Sequence, residues 1–174
     1  DSLGKFGIKL GMERIEGLLR ELGNPEQKIK TVHVTGTNGK GSVTSMITNI
    51  LLAANLKVGK FTSPHLVKYN ERINLNGKDI SDEDFATAIT AVKAAADSVV
   101  KKGVCEQPTQ FEILTAAAFL YFYLQKVDYA VIEVGMGGLW DSTNVITPVV
   151  SVITNVALDH TDRCGKTLER IAMQ

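Results

Sequence analysis

The sequence predicts an α/β fold, a mostly parallel sheet with helices on both faces, and three observations predict it. Short β-branched or apolar runs alternate with longer segments of helical periodicity. One such run passes directly into a glycine-rich turn and then into a helical pattern. Two others, residues 129–134 and 149–154, are almost continuously apolar, the pattern of strands buried on both faces of a parallel sheet. Sheets of this kind bind ligands at the carboxyl ends of their strands, so the turns that follow strands are where chemistry belongs.

The elements follow in order. Residues 12–22 place Ile15, Leu18, Leu19 and Leu22 on one helical face, and Gly23-Asn24-Pro25 ends that helix. Residues 31–35 (Thr-Val-His-Val-Thr) form a short strand leading into the glycine-rich turn. From Ser42, the apolar positions Val43, Met46, Ile47, Ile50 and Leu51 follow helical spacing, and residues 56–62 read as a second strand. Asn76-Gly77 lies between short alternating segments, a hairpin signal within residues 72–80. Ser81 with Asp84 three positions on starts a helix through about Lys102; Thr109 with Glu112 repeats the signal for a helix ending near Gln125. Residues 167–174 begin another helical pattern without a cap, so the expectation is a truncated piece of a longer protein.

Composition narrows the function classes. A chain of 174 residues predicts one domain or part of one, with a sizeable core. Nineteen basic and nineteen acidic residues cancel. Such a chain has no bulk attraction to nucleic acid or anionic lipid, so neither nucleic acid nor membrane is an expected partner and any anion site must be local. The longest apolar stretch, residues 113–124, is too short to span a bilayer. No basic-then-apolar signal opens the chain, and Cys105 and Cys164 are far apart without a CxxC or CxxH partner. That spacing argues against zinc and, with two free thiols, fits a reducing cytoplasmic compartment.

The sharpest signal is Thr35-Gly36-Thr37-Asn38-Gly39-Lys40-Gly41-Ser42. Glycines let successive backbone N–H groups turn toward an anion, and the following helix presents its positive end. Lys40 adds a point charge suited to β- and γ-phosphates. Two residues rather than four separate Gly36 from Gly39, and Gly41 intervenes before Ser42, so this is a variant of the Walker pattern. The phosphate-binding candidates are Thr37, Asn38, Gly39, Lys40, Gly41 and Ser42; the plain alternative is a glycine turn with a solvated lysine. Glu133 ends an apolar strand before a glycine turn, a place suited to a metal carboxylate or, equally simply, to a paired strand-end carboxylate. His33, inside the strand before the loop, reads as a satisfied core histidine or one that supports the site from behind.

The residues from His33 to Ser42 carry a family resemblance when taken with Phe61-Thr62-Ser63-Pro64-His65-Leu66 and Glu71-Arg72-Ile73. It continues through Phe111-Glu112, the segment from Ile132 to Gly138, Asp141-Ser142-Thr143-Asn144 and Leu158-Asp159-His160. In this order the blocks resemble folylpolyglutamate synthases and bifunctional dihydrofolate synthases, members of the Mur-ligase-like ATP-dependent amide ligases. The resemblance implies a P-loop-type, Mur-ligase-like ATP-binding domain over residues 1–174, its Rossmann-like glutamate-ligase partner domain lying outside this chain. It implies ATP and Mg²⁺ as cofactors and a monomer. The implied reaction joins L-glutamate to the γ-carboxylate of a reduced folate through an acyl phosphate. Phosphoryl transfer of this kind is mostly positioning and charge neutralisation.

By the same resemblance Ser63 and Glu133 bind one Mg²⁺, and His160 with Glu133 contributes to a second. Lys40, Glu133 and His160 form the catalytic set. A histidine nitrogen is an unusual Mg²⁺ ligand on softness grounds. Thr109, Phe111 and Asp141 match positions lining a pterin pocket, and His65 lies in a folate-contacting loop running to about Ile73. The alternatives are ordinary ones: Thr109 as a helix cap, Phe111 in the core, the 65–73 segment a surface loop, Glu71 and Arg72 paired with neighbours. Asn144 is read as ordering the loop after Glu133. Two departures count. Leu139-Trp140 stands where many relatives carry Arg-Leu, and the modified lysine that helps hold the second Mg²⁺ lies beyond Gln174, so the 174 residues alone are expected to lack full ligase activity. Three other readings remain: a bifunctional enzyme also joining glutamate to dihydropteroate, a Mur-type ligase for another carboxylate, and a non-synthetic nucleotide switch.

Overall fold

The structure is a computed structural model that describes residues 11–162 and 164–174. Six strands form one sheet: β1 (Thr31–Thr35), β2 (Val58–Phe61), β3 (Ile73–Leu75), β4 (Lys78–Asp79), β5 (Tyr129–Glu133) and β6 (Val150–Ile153). Their spatial order is β4-β3-β2-β5-β1-β6. The strands β2, β5, β1 and β6 run parallel, while β3 and β4 are an antiparallel hairpin added at one edge. Asn76 and Gly77 both take positive φ in the hairpin turn, the geometry that two-residue hairpins favour.

Helices α1 (Glu13–Glu21), α3 (Asp82–Lys101) and α4 (Gln110–Leu124) cover one face, and α2 (Lys40–Ala53) covers the other. The period of two explains the division: Ala130 and Ile132 of β5 pack with the three-helix layer, whereas Val131 joins Val32, Val34 and Val58 under α2. Ser81 Oγ accepts from the Asp84 amide at the start of α3, as expected, and the short helix α5 (Leu168–Ala172) is capped by Thr167. α1 is pinned to α4 by a buried ion pair: Arg14 Nε donates to both Glu112 oxygens at 3.1 Å, and Arg14 Nη2 lies 3.0 Å from Oε1.

Three expectations need correction. β6 is not buried on both faces; Val150 and Ile153 are 52% and 64% exposed, because β6 is the edge strand and no described element lies beyond it. α2 begins at Lys40, two residues before Ser42, and Met46 and Ile50 point to solvent while Thr44 and Thr48 are buried toward the sheet. Val43, Ile47 and Leu51 do pack against the core there. The second strand is confined to Val58–Phe61, shorter than the apolar run that announces it. Among the described residues no helix is long and apolar enough to cross a membrane.

Candidate active site

β1, β5 and β6 end side by side, and the turns that follow them form the walls of a cleft. The turn after β1 bends at Gly36, with φ +131°, and Thr154 packs so closely against it that a side chain there has no room. Segment 154–157 braces this turn along its length. Asn155 accepts from the Thr37 amide through its carbonyl and from the Asn38 amide through Oδ1, both at 3.0 Å. Thr154 Oγ1 donates to the Asn38 carbonyl at 2.7 Å, and Thr37 Oγ1 accepts from the Ala157 amide at 2.9 Å. The amides of Thr37 and Asn38 are thus engaged with Asn155. The donors left facing an anion are those of the α2 N-terminus, Gly39 to Ser42, where a helix carries its partial positive charge. Lys40 folds over the same turn: Nζ donates to the Gly36 carbonyl at 2.8 Å and to the Thr37 carbonyl at 3.2 Å. An ammonium has three donors, so one remains for a ligand.

Glu133 closes β5 on the α2 side of the sheet, because it shares a face with Val131. It is only 4% exposed, and its carboxylate lies over Gly41, where a methyl group would sit 3.5 Å from Oε1. Oε2 accepts from the Ser63 amide at 3.0 Å, its single hydrogen bond among the described residues. Burial pushes the Glu133 carboxyl above its usual range; the Ser63 amide and the charges of Lys40 and Lys60 only partly offset this. A buried carboxylate with one oxygen unbonded, beside the Ser63 loop, is short of a positive partner.

His160 lines the cleft with Lys40, Asp159 and Asn155. It is about half exposed, holds φ +46°, and its Nε2 lies 3.8 Å from Asp159 Oδ2. Among the described residues no three His, Cys, Asp or Glu side chains converge on one point. Protein groups alone therefore do not complete a cage around Glu133 or His160. Hard oxygen donors, few from the protein and the rest from water and phosphate, are what Mg²⁺ takes. Glu133 and Ser63 fit that pattern.

The candidates on the far side of the 135–138 turn are more deeply built into the fold. Thr109 and Glu112 form a reciprocal cap on α4: Thr109 Oγ1 accepts from the Glu112 amide at 3.3 Å and Glu112 Oε2 from the Thr109 amide at 2.6 Å. Phe111 packs 6.0 Å from the Phe61 ring and against Gly135, where a Cβ would come within 2.6 Å of its Cζ. Asp141 is buried; it accepts from the Met136 amide at 2.9 Å, and from the Thr143 amide and hydroxyl at 3.0 and 2.6 Å. Asn144 Nδ2 donates to the Leu139 carbonyl at 3.2 Å, across the loop it was read to order. His65 sits 4.3 Å from the Tyr69 ring and accepts at Nδ1 from Arg72 Nε at 2.8 Å. Glu71 accepts three amides, from Leu66, Val67 and Lys68, which hold its carboxyl below the usual range. His33, as expected, is satisfied within the fold, with Nε2 2.8 Å from Thr143 Oγ1, and burial pushes its pKa down. Sequence reasoning missed Asn155, Thr154, Thr143 and Arg14. A polar Thr-Asn pair directly after an apolar strand is the one signal that pointed to the first two.

A glycine-rich turn feeding a helix, with a lysine on it and a carboxylate at the end of the neighbouring strand, defines a P-loop-type nucleotide-binding α/β domain. Within that class the chain belongs to the Mur ligase middle domain family, which it matches over residues 34–174. It is 46% identical over 97% of its length to "Dihydrofolate synthase/folylpolyglutamate synthase" of Bacillus subtilis, covering 39% of that protein. It is 48% identical over 91% of its length to "Folylpolyglutamate synthase" of Lacticaseibacillus casei, covering 37%. Among solved structures it superposes on an FPGS-AMPPCP-folate complex with TM-score 0.92 at 46% identity, covering 98% of this chain and 42% of that one. It superposes on E. coli FolC in complex with DHPP and ADP with TM-score 0.87 at 34% identity, covering 97% and 39%. The chain thus spans about two-fifths of the length of the relatives it matches. The fold and family membership expected from the sequence are borne out.

Proposed function

We propose that this chain supplies the ATP- and Mg²⁺-binding part of an ATP-dependent ligase that joins L-glutamate to the γ-carboxylate of a reduced folate. The observation that carries the reading is the Glu133 carboxylate, buried beside the Ser63 loop and over the first turn of the helix whose Lys40 faces the cleft. In this reading the amides from Gly39 to Ser42 and the free donor of Lys40 hold the β- and γ-phosphates. Glu133 and Ser63 hold Mg²⁺, with His160 at the second cation position that the resemblance implies. Mg²⁺ held there would supply charge neutralisation on the phosphates during transfer. The folate carboxylate takes the γ-phosphoryl group, ADP leaves, and the glutamate amine then displaces phosphate from the acyl phosphate.

The pterin-side roles of Thr109, Phe111, Asp141 and His65 belong to the same proposal. Phe111 and Asp141 flank the Gly135 turn, on the opposite side of the sheet edge from Glu133. The similarity to a dihydrofolate synthase/folylpolyglutamate synthase favours a second reading, in which dihydropteroate is also a substrate. The test is the complete gene product supplied with ATP, Mg²⁺ and glutamate, and with either tetrahydrofolate or dihydropteroate. Phosphate release that requires glutamate, with a tetrahydrofolate product one glutamyl unit heavier, is the expected result. Glutamylation of dihydropteroate as well supports the second reading. ATP consumption that needs no amino acid overturns both.

A further inference from the structure

The turn at residues 135–138 is fastened to β1 by two side chains. His33 and Thr35 lie two positions apart on β1 and so project from the same face of the sheet, the face opposite α2. Thr35 Oγ1 donates directly to the Gly137 carbonyl at 2.7 Å. His33 reaches the same turn through two intermediaries. Its Nε2 is 2.8 Å from Thr143 Oγ1, Thr143 Oγ1 donates to Asp141 Oδ1 at 2.6 Å, and Asp141 Oδ2 accepts the Met136 amide at 2.9 Å. A hydroxyl has one proton to give. Asp141 receives it, so the His33–Thr143 bond is made by a proton on His33 Nε2. Thr143 and its partner Asp141 are buried, at 0% and 7% exposure, where each of these hydrogen bonds is costly to lose.

We propose that His33 and Thr143 are positioning residues: the chain His33–Thr143–Asp141–Met136 fixes the turn after Glu133, and with it the wall of the cleft that faces Lys40. Met136 and Gly137 line that cleft together with Gly36 and Lys40. The turn is gripped at two consecutive residues, by Asp141 at the Met136 amide and by Thr35 at the Gly137 carbonyl. Gly135 lets the grip close, since a Cβ there would lie 2.9 Å from Asp141 Oδ2 and 2.6 Å from Phe111. Neither His33 nor Thr143 faces the cleft; both act through Asp141. The kinetic part of the inference rests on the ligase reading, whereas the hydrogen-bond chain does not.

The decisive variants are T143V, which removes the hydroxyl at nearly constant volume, and T143S, which keeps it. Both are made in the complete gene product. Imidazole ¹⁵N shifts of the wild type are expected to show His33 protonated at Nε2. In T143V, exchange of the Met136 amide should accelerate, and kcat/KM for ATP should fall about tenfold, the equivalent of one buried hydrogen bond, well below the melting temperature. T143S should return kcat/KM to within about threefold of wild type. A merely structural Thr143 would lower the melting temperature and leave kcat, KM and Met136 exchange in the folded enzyme unchanged; that outcome overturns the proposal. Should T143V not fold, a wild-type His33 carrying its proton on Nδ1 overturns it independently. If the complete protein shows no ligase activity, the ring shifts and Met136 exchange still decide the chain, so the two failures are told apart.

Discussion

Two glycine turns lie side by side at the carboxyl edge of the sheet, one after β1 and one after β5, and they are held in different ways. The β1 turn is shaped by Gly36 at positive φ and the helix that starts at Lys40, and is braced by the segment after β6, where Thr154, Asn155 and Ala157 bond Thr37 and Asn38. The β5 turn is held by one side chain of its own loop, Asp141 on the Met136 amide, and by one from β1, Thr35 on the Gly137 carbonyl. The first presents amides and a cation, the second carries the buried carboxylate that precedes it. In the proposed function a phosphate uses the first and a metal ion the second, so the site divides its chemistry between a turn braced from the edge strand β6 and one braced from its own loop and from β1.

The largest effect should come from the cation on the β1 turn. Lys40→Ala in the complete protein is expected to lower ATP-dependent turnover by about 10²–10³-fold, with melting temperature little changed, because its ammonium bonds two carbonyls of its own turn, Gly36 and Thr37. Turnover within threefold of wild type would remove Lys40 from the mechanism and leave the helix N-terminus as the whole anion site.

Glu133→Gln tests the other turn and should weaken Mg²⁺ affinity about 10–100-fold. It also has an opposite effect on stability. Burial raises the Glu133 pKa in the folded protein above its unfolded value, so this residue's contribution to stability is greatest below the unfolded pKa and is lost as pH rises through the folded one. Without Mg²⁺, the wild type should therefore gain stability relative to E133Q as pH falls from neutral through the acid range. At neutral pH the neutral glutamine should melt higher than the wild type. For the same reason Mg²⁺ binding by the wild type should weaken on acidification sooner than an ordinary carboxylate would dictate. Differential scanning fluorimetry with and without Mg²⁺, across pH, reads all three; an E133Q protein that melts lower at neutral pH without Mg²⁺ contradicts the assignment of a strained, cation-seeking carboxylate.

What was legible in the sequence follows the same division. The β1 turn, α2 and the caps of α3 and α4 are local, and Gly36, Lys40, Ser81 and Thr109 announce them within a few positions. Family resemblance marked Ser63 and Glu133, and the fold brings them to 3.0 Å across 70 positions of chain. Contacts with no local signature were not legible: Asn155 on the β1 turn, Thr143 on His33, Arg14 on Glu112. The exposure of β6 failed for a related reason, since an apolar run shows strand propensity but not whether another element lies beside it. In α2, helical spacing was right, but two faces of the helix competed for the sheet, and Thr44 and Thr48 took the place that Met46 and Ile50 suggested.

Asn155→Ala asks how much the β1 turn owes to one of its outside braces. The substitution removes the Oδ1 acceptor of the Asn38 amide and leaves the Asn155 carbonyl bond to Thr37 in place. Losing one partly exposed hydrogen bond is worth about 1 kcal/mol, so KM for ATP should rise about five- to tenfold with kcat nearly unchanged. An Asn155→Ala enzyme with unaltered KM would mean that the turn does not depend on the Oδ1 bond and is held by its remaining bonds to residues 154–157.

The smallest expected effect separates a helix cap from a ligand contact. Thr109 Oγ1 accepts from the Glu112 amide, and Glu112 in turn holds both the Thr109 amide and the Arg14 guanidinium. Thr109→Ala removes only the first of these, at a cost of about 1 kcal/mol of stability. Thr109→Ser keeps the cap oxygen and deletes only the methyl group. If Thr109 acts solely as a cap, both variants keep the wild-type KM for the pterin substrate and only the alanine melts lower. If the hydroxyl also meets the pterin, the alanine raises KM in proportion to a lost hydrogen bond, about five- to tenfold, while the serine does not. Phe111 is carried two residues further along the same first turn, so a KM change that exceeds what the lost cap explains would place the pterin contact at Thr109 itself. A KM change that tracks the melting temperature would instead place it at Phe111, displaced when the turn frays.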